Sequence, residues 1–446
     1  MGLGKILFCG NDERYLDKKY IAFSDSTNGG SAFRLTSMVN ADGTLVAVVC
    51  KQTVGEGFGY IELAVRRSDD GGESWSEVES IATPPARMTG EGLNSYCSAY
   101  FVNPCMAVAP NGDIIMLVDF YPESKDLKGN KLFDKKKIPY ASYKRRMRPV
   151  LYDRDGKFYI IREDGVVLNN KQHETIYKVT DWKGSLYKGE EYVGNIFLNG
   201  KTGEVTEHTT FGAPLKAPKR NYIFMLRSSD KGKTWSDPVD VTSDFLIKED
   251  GTFIAVSPGS SITTPDGRIV MPLYAENKQS VSVYSIDDGE SWHRMTQQPY
   301  NSNTEEWQAV LAPDGAILAL GTAQGFDNTP LSISYDNAKH WEKCRPTGVL
   351  APKCQKSVMN IANYVFCSHP SERTRENGVI SIGRFKRSGG KTVGIDWYAD
   401  SEINTGYFGY SCMAQIDEDH IGVLYEAQPS SLICFKKFRI EDLIKF

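Results

Sequence analysis

The chain is most easily bounded by what it lacks. Across its 446 residues no run of about 18 apolar residues occurs, so no membrane-spanning helix is expected. Its nine cysteines (9, 50, 97, 105, 344, 354, 367, 412 and 434) are odd in number and irregular in spacing, without a C-x-x-C pair. That excludes a disulfide framework of the small secreted kind and a thiolate metal site. The six histidines show no metal-ligand spacing, and neither a metal nor a cofactor is expected. Excess positive charge is also missing. Fifty-two Lys and Arg face 56 Asp and Glu, for a net charge of −4, so no nucleic-acid footprint is visible. The basic runs Lys135-Lys136-Lys137 and Lys144-Arg145-Arg146 read as solvated loop charge. The first ten residues turn polar too quickly for a leader peptide, and Ile6 breaks a myristoylation signal. With free thiols expected, a cytoplasmic location follows, or a secreted one if a leader has been removed.

What the chain has is a repeated turn. Ser68-Asp69-Asp70-Gly71-Gly72-Glu73-Ser74-Trp75, Ser228-Ser229-Asp230-Lys231-Gly232-Lys233-Thr234-Trp235 and Ser285-Ile286-Asp287-Asp288-Gly289-Glu290-Ser291-Trp292 share the form S-x-D-x-G-x-[S/T]-W. A degraded copy runs from Ser334 through Asp336 to Trp341. An aspartate side chain can take backbone N–H bonds inside a tight turn, and glycine takes the left-handed position. Each copy follows a strand-like run such as Tyr222-Ile223-Phe224-Met225-Leu226. The last three copies begin roughly 50 residues apart, the period of a four-stranded propeller blade. The first two lie about 160 residues apart, too far for neighbouring blades of that period. The spacing predicts an insertion. Residues 122–217 are Lys-rich with hairpin signals at Asp155-Gly156 and Asp164-Gly165, and they read as a small β-rich domain inserted into a propeller made of 1–121 and 218–446. It either shapes a rim or simply packs. Ile421–Tyr425 reads as a buried strand, and 438–444 either closes the last blade or forms a short helix.

Several further motifs coincide. Phe33-Arg34-Leu35-Thr36 resembles the F-R-I-P signature of bacterial sialidases, and the repeated turns resemble their Asp boxes. Arg375-Glu376-Asn377-Gly378, Tyr410-Ser411-Cys412 and Leu424-Tyr425-Glu426 resemble later signatures of that family, in order. Tyr121-Pro122-Glu123 and the stretch from Ile161 to Phe197 look like the β domain inserted in the larger members. The resemblance covers about residues 30–440. It implies an all-β, six-bladed β-propeller with an axial active site, and sialylated or related acidic glycans as partners.

The family chemistry is that of a glycosidase with a tyrosine nucleophile. A sialic acid carries a carboxylate on its anomeric carbon, so a neutral phenol, deprotonated as it attacks, avoids the approach of like charges. Tyr410 matches that position. A phenol titrates near 10 and needs a base beside it. Glu306 matches the activating glutamate, with its neighbour Glu305 as the competing choice. Guanidinium forks suit a carboxylate. Arg34 and Arg375 match the first and third of three family arginines, and Glu426 matches the residue that orients the first. The sequence departs at two places. The second arginine position holds Thr322, and the loop Lys51-Gln52-Thr53-Val54-Gly55-Glu56-Gly57 carries no Asp for the acid. Glu56 is the nearest carboxylic acid, and Lys51 stands where the family often has an arginine touching the sugar. Two functions follow. One is a retaining exo-glycosidase for sialic acid or a related nonulosonic sugar. The other is a catalytically impaired propeller that binds glycans. A third idea, a scaffold for proteins, lacks an exposed apolar stripe. Linkage, hydrolysis against intramolecular transfer, and oligomeric state are not written in these motifs.

Overall fold

A computed structural model describes residues 21–23, 31–53, 60–86, 98–123, 134, 136–198, 212–251, 253–276, 279–300, 304–429 and 432–445. These form six antiparallel blades and one extra sheet. Blade I is the meander Ser31–Ala41, Thr44–Thr53, Ile61–Ser68 and Glu79–Ala82. Blade II uses Tyr100–Val108, Ile114–Tyr121, Tyr222–Ser228 and Val239–Asp240. Blade III is built on Ile254–Val256, Ile269–Ala275, Ser280–Ser285 and His293–Arg294. Blade IV runs from Trp307–Leu311 to Arg345–Ala351, and blade V from Ser357–Ile361 to Lys391–Tyr407. Blade VI stacks Ser411–Gln415, His420–Gln428 and Leu432–Arg439, with Ile21–Phe23 as its outermost strand. The N-terminal strand thus pairs with the C-terminal one, Phe23 opposite Ile433. The 438–444 segment serves both expected ends: a strand to Arg439, then a short helix over Ile440–Ile444.

The apolar side chains explain the ring. Every residue of Ile114–Tyr121 is buried, as expected of a strand covered on both faces. Six apolar clusters each join two adjacent blades, from Val46, Met116 and Phe224 between blades I and II to Phe33, Leu45 and Phe435 between VI and I. No blade can bury both faces alone, so the sheets stack around an axis.

The four turns match their expected role and show why they recur. In the first, the Gly72 N–H donates to Ser68 Oγ at 2.8 Å and the Ser74 N–H donates to Asp70 Oδ1 at 2.9 Å. The second and third copies repeat these bonds around Asp230 and Asp287. Gly72 has φ +90°, and a Cβ there would collide with Phe435 of blade VI. In the degraded copy Ala338 takes φ 65° in place of glycine.

The insertion falls inside blade II, between Ile114–Tyr121 and Tyr222–Ser228. It forms a seven-stranded meander over residues 140–195 with its own core of Leu151, Val167, Leu186 and Ile196. It is fastened to the propeller by Phe197 against Phe120 (ring centroids 4.9 Å apart), Trp182 against Phe101, and the Tyr140 hydroxyl donating to Asp240 at 2.6 Å.

Antiparallel order then fixes which residues can meet. The first strand of a blade starts, the second ends and the third starts at one end of the ring. Arg34, Glu306, Thr322, Arg375, Tyr410 and Glu426 all lie at such positions. The repeated turns follow third strands and therefore occupy the opposite end. The insert leaves after Tyr121 and returns at Tyr222, so it sits on the same end as the candidate site.

Candidate active site

Tyr410 precedes the first strand of blade VI, and Glu306 precedes that of blade IV, so their side chains meet across the axis. The Tyr410 hydroxyl donates to Glu306 Oε1 at 2.8 Å. Both side chains remain partly open to solvent. Burial pushes the Tyr410 phenol well above its ordinary range and the Glu306 charge raises it further, while Arg375 opposes both. Burial also raises the Glu306 carboxyl, against the Tyr410 hydrogen bond and the Arg375 charge, which lower it. The proton therefore rests on the phenol while the carboxylate accepts it. Glu305 turns away to pair with Lys353 at 2.7 Å, so the geometry separates the two glutamates.

Two guanidiniums flank the phenol. Arg375 Cζ lies 4.9 Å from the Tyr410 ring centroid and Arg34 Cζ lies 6.0 Å from it. Arg34 is held by Glu426, 3.5 Å from its Nε. Glu426 is fully buried and also accepts the Leu35 N–H at 2.9 Å and the Tyr407 hydroxyl at 3.4 Å. Its place depends on Gly409, where a Cβ would run into the Glu426 carboxylate. Among the described residues Arg375 has no carboxylate within ion-pair distance; its Nη2 donates to the Lys353 carbonyl at 3.5 Å, and its guanidinium also hydrogen-bonds the Tyr407 phenol. Two guanidiniums with donors to spare, one of them lacking a counterion, make a receptor for an anion.

The remaining sequence candidates divide. Thr322 is buried at the end of a blade IV strand, its hydroxyl donating to the Cys354 carbonyl at 3.3 Å. Lys51 pairs with Glu62 at 3.0 Å, within blade I. Glu56 lies outside the described residues. Of the cysteines, seven are described and six of them are buried.

Sequence reasoning missed four residues. Asp119 is fully buried, accepting the Asn103 amide and the Val256 N–H, both at 2.8 Å, and so ties blade II to blade III. Burial raises its carboxyl well above the usual range. A charged residue inside the apolar run Ile114-Ile115-Met116-Leu117-Val118-Asp119-Phe120 was a visible signal. Tyr274 stands close enough to Glu306, Asp119 and Tyr410 for their charges to act on its phenol. Tyr407 touches Glu426, and Lys356 lies buried beneath the site. Nothing in their sequence context marks these three.

Comparison with known proteins agrees with the fold. A family described as "BNR repeat-like domain" matches residues 191–388. The chain is 24% identical to the anhydrosialidase of Macrobdella decora, over 96% of this chain and 61% of that protein. It is 30% identical to a sialidase of Clostridium perfringens, over 46% of this chain and 59% of the relative. Among solved structures it superposes on the intramolecular trans-sialidase from Ruminococcus gnavus, solved with oseltamivir carboxylate, with a TM-score of 0.79 at 22% identity. That match covers 96% of this chain and 98% of that one. The NanB sialidase of Streptococcus pneumoniae gives a TM-score of 0.80 at 20% identity, covering 95% and 71%. The chain spans 61% and 42% of the first two curated relatives' lengths.

Proposed function

We infer that the chain is a relative of the bacterial sialidases, whose six-bladed propeller it shares. From that premise we propose that it is a glycoside hydrolase of sialidase type, a retaining exo-glycosidase that removes a terminal sialic acid or related nonulosonic acid from glycoconjugates. The single observation that carries this reading is the 2.8 Å contact of Tyr410 with Glu306 beside two guanidiniums. A binding protein needs the guanidiniums but has no use for a phenol presented to a half-buried base.

The chemistry runs as follows. Arg34 and Arg375 take the substrate carboxylate, with Glu426 fixing Arg34. Tyr410 Oη forms a bond to the anomeric carbon as its proton passes to Glu306. The bond from that carbon to the leaving oxygen breaks, and the oxygen takes a proton from an acid, a role we assign to Glu56. In the second half-reaction a hydroxyl attacks the same carbon from the opposite face and gives its proton to Glu56, while the bond from that carbon to Tyr410 Oη breaks and the phenol recovers its proton from Glu306. A glycosidase acting through two displacements retains configuration.

The attacking hydroxyl is either water or the sugar's own. The second choice is favoured by relatives that cover nearly all of this chain, one named an anhydrosialidase and one an intramolecular trans-sialidase. The impaired glycan binder is favoured by one feature, the uncharged Thr322. A panel of aryl sialosides, including deaminated and other nonulosonic sugars, tests the proposal. We expect release of the aryl alcohol. A 2,3-difluorosialic acid should leave a covalent adduct on the peptide carrying Tyr410. Folded protein with saturable glycan binding, no turnover and no adduct would leave the binder standing. Product analysis by mass spectrometry, 18 Da lighter than the free sugar for an anhydro form, decides the attacking hydroxyl.

A further inference from the structure

Lys356 is 3% exposed. Lysine is almost never this deeply buried unless paired, yet among the described residues no carboxylate lies within 4 Å of its ammonium. Its hydrogen bond goes to the Cys354 carbonyl at 3.3 Å. The same carbonyl accepts the Thr322 hydroxyl at 3.3 Å, and the Thr322 N–H donates to the Glu306 carbonyl at 2.8 Å. Glu306, Thr322, Cys354 and Lys356 thus form one contiguous cluster, from three chain segments that end at the floor of the site. Thr322 stands where the resemblance expects a guanidinium. The cation absent from that position has a counterpart one blade further on.

We propose that Lys356 is a positioning residue for the Tyr410–Glu306 couple: its buried ammonium supplies, from beneath, the positive charge that Thr322 does not, and so keeps the Glu306 carboxylate ready to accept the phenol proton. This rests on the reading of Tyr410 as nucleophile. Lys356 does not reach the sugar in this scheme and acts only through Glu306.

The electrostatics agree. Tyr410, Tyr274, Glu305, Cys354, Arg375 and Lys356 are the titratable groups facing Glu306. Burial raises its carboxyl most; the Tyr410 hydrogen bond and Arg375 lower it, Glu305 raises it, and Lys356 adds a smaller lowering. Lys356 itself faces Glu306, Cys354, Cys367 and His369. The two thiols are pushed by burial to about 12 and His369 down to about 4, which leaves Glu306 as the one carboxyl in that set. Burial lowers Lys356 as well. A cation in a poor environment, with one carboxyl in range, is a structural liability unless the charge is used.

Lys356→Met keeps the volume and removes the charge. The decisive measurement is the titration of the Glu306 carboxyl by carbon-13 NMR, assigned by loss of its signal in Glu306→Gln. In Lys356→Met we expect the midpoint to rise by a few tenths of a pH unit, as removal of an opposite charge in range requires. Lys356→Arg should restore it. The acidic limb of the kcat/KM profile should move the same way with KM little changed, while the melting temperature rises because a poorly solvated charge is gone. A midpoint that stays in place, or an acidic limb that does not follow it, overturns the inference. Tyr410→Phe separates the two levels. If it abolishes turnover while the Glu306 midpoint ignores Lys356→Met, only this inference fails; if Tyr410→Phe turns over normally, the reading of function fails and takes this one with it.

Discussion

The repeated turns and the mouth of the ring hold the same chemical group and treat it in opposite ways. At the turns, Asp70 meets the Ser74 hydroxyl and N–H and the Ser68 hydroxyl. Burial alone would raise its carboxyl, but these donors win and hold it at about 2. Asp230 and Asp287 are lowered by the same balance of burial against Thr234 or Ser291 donors. At the mouth, Glu306 has one phenol as donor, and burial wins. Hydrogen bonds from groups that can only donate to the charged form make a carboxylate a fastener. A single partner that can give up its proton makes it a base. The turn aspartates are thus fully satisfied at one end of the strands, while Glu306 is left short of donors at the other.

The largest way to break this contrast lies at the mouth. Tyr410→Phe should lower kcat/KM on an aryl sialoside by three orders of magnitude or more, as loss of a nucleophile does. Wild-type rates in that variant would remove the mechanism. Glu306→Gln should cost about 10²–10⁴-fold, the range for general base help, while the melting temperature holds or rises. The sign follows from the raised carboxyl: a group that resists ionisation when folded destabilises the fold above its titration and loses nothing when made neutral. A smaller loss, about ten- to a hundredfold in kcat/KM, is expected for Arg375→Ala, which removes one charged hydrogen-bond partner worth about 1.5–3 kcal/mol.

At the opposite end the effects fall on stability and spare turnover. Gly72→Ala drives a Cβ into Phe435 and meets a positive φ; denaturant melts should show a loss of about 1–3 kcal/mol. The smallest effect is the acid dependence of the turns. A carboxyl lowered in the folded state contributes stability that is present above its unfolded value, about 3.9, and is lost as pH falls through the folded value, about 2 for Asp70. Melting temperature measured downward through that window should fall less steeply in Asp70→Asn than in the parent. Equal slopes would mean that Asp70 fastens nothing.

Some of these features were legible in the sequence and others were not, for identifiable reasons. The turns were legible because each is complete within eight residues: Ser, Asp, Gly and Trp act on one another locally. Arg34, Arg375, Tyr410 and Glu426 were legible as motif positions. The choice of Glu306 over Glu305 was not closed by the motif, since both residues are acidic and adjacent. It was closed by the direction each side chain takes, one to Tyr410 and one to Lys353. Lys356, Tyr274 and Tyr407 were invisible because their partners lie on other blades. The Tyr410–Glu306 contact alone joins residues 104 positions apart.

By itself the sequence determined a period, and with it a ring of four-stranded sheets carrying one insertion, because strand propensity and turn chemistry are local. Only the closed ring decided the chemistry. Six chain segments end at the same rim, and burial there sets the proton affinity of a phenol, a carboxylate and a lysine that the linear order keeps far apart. Charge in a low-dielectric site depends on distance and solvent, and neither is written along the chain.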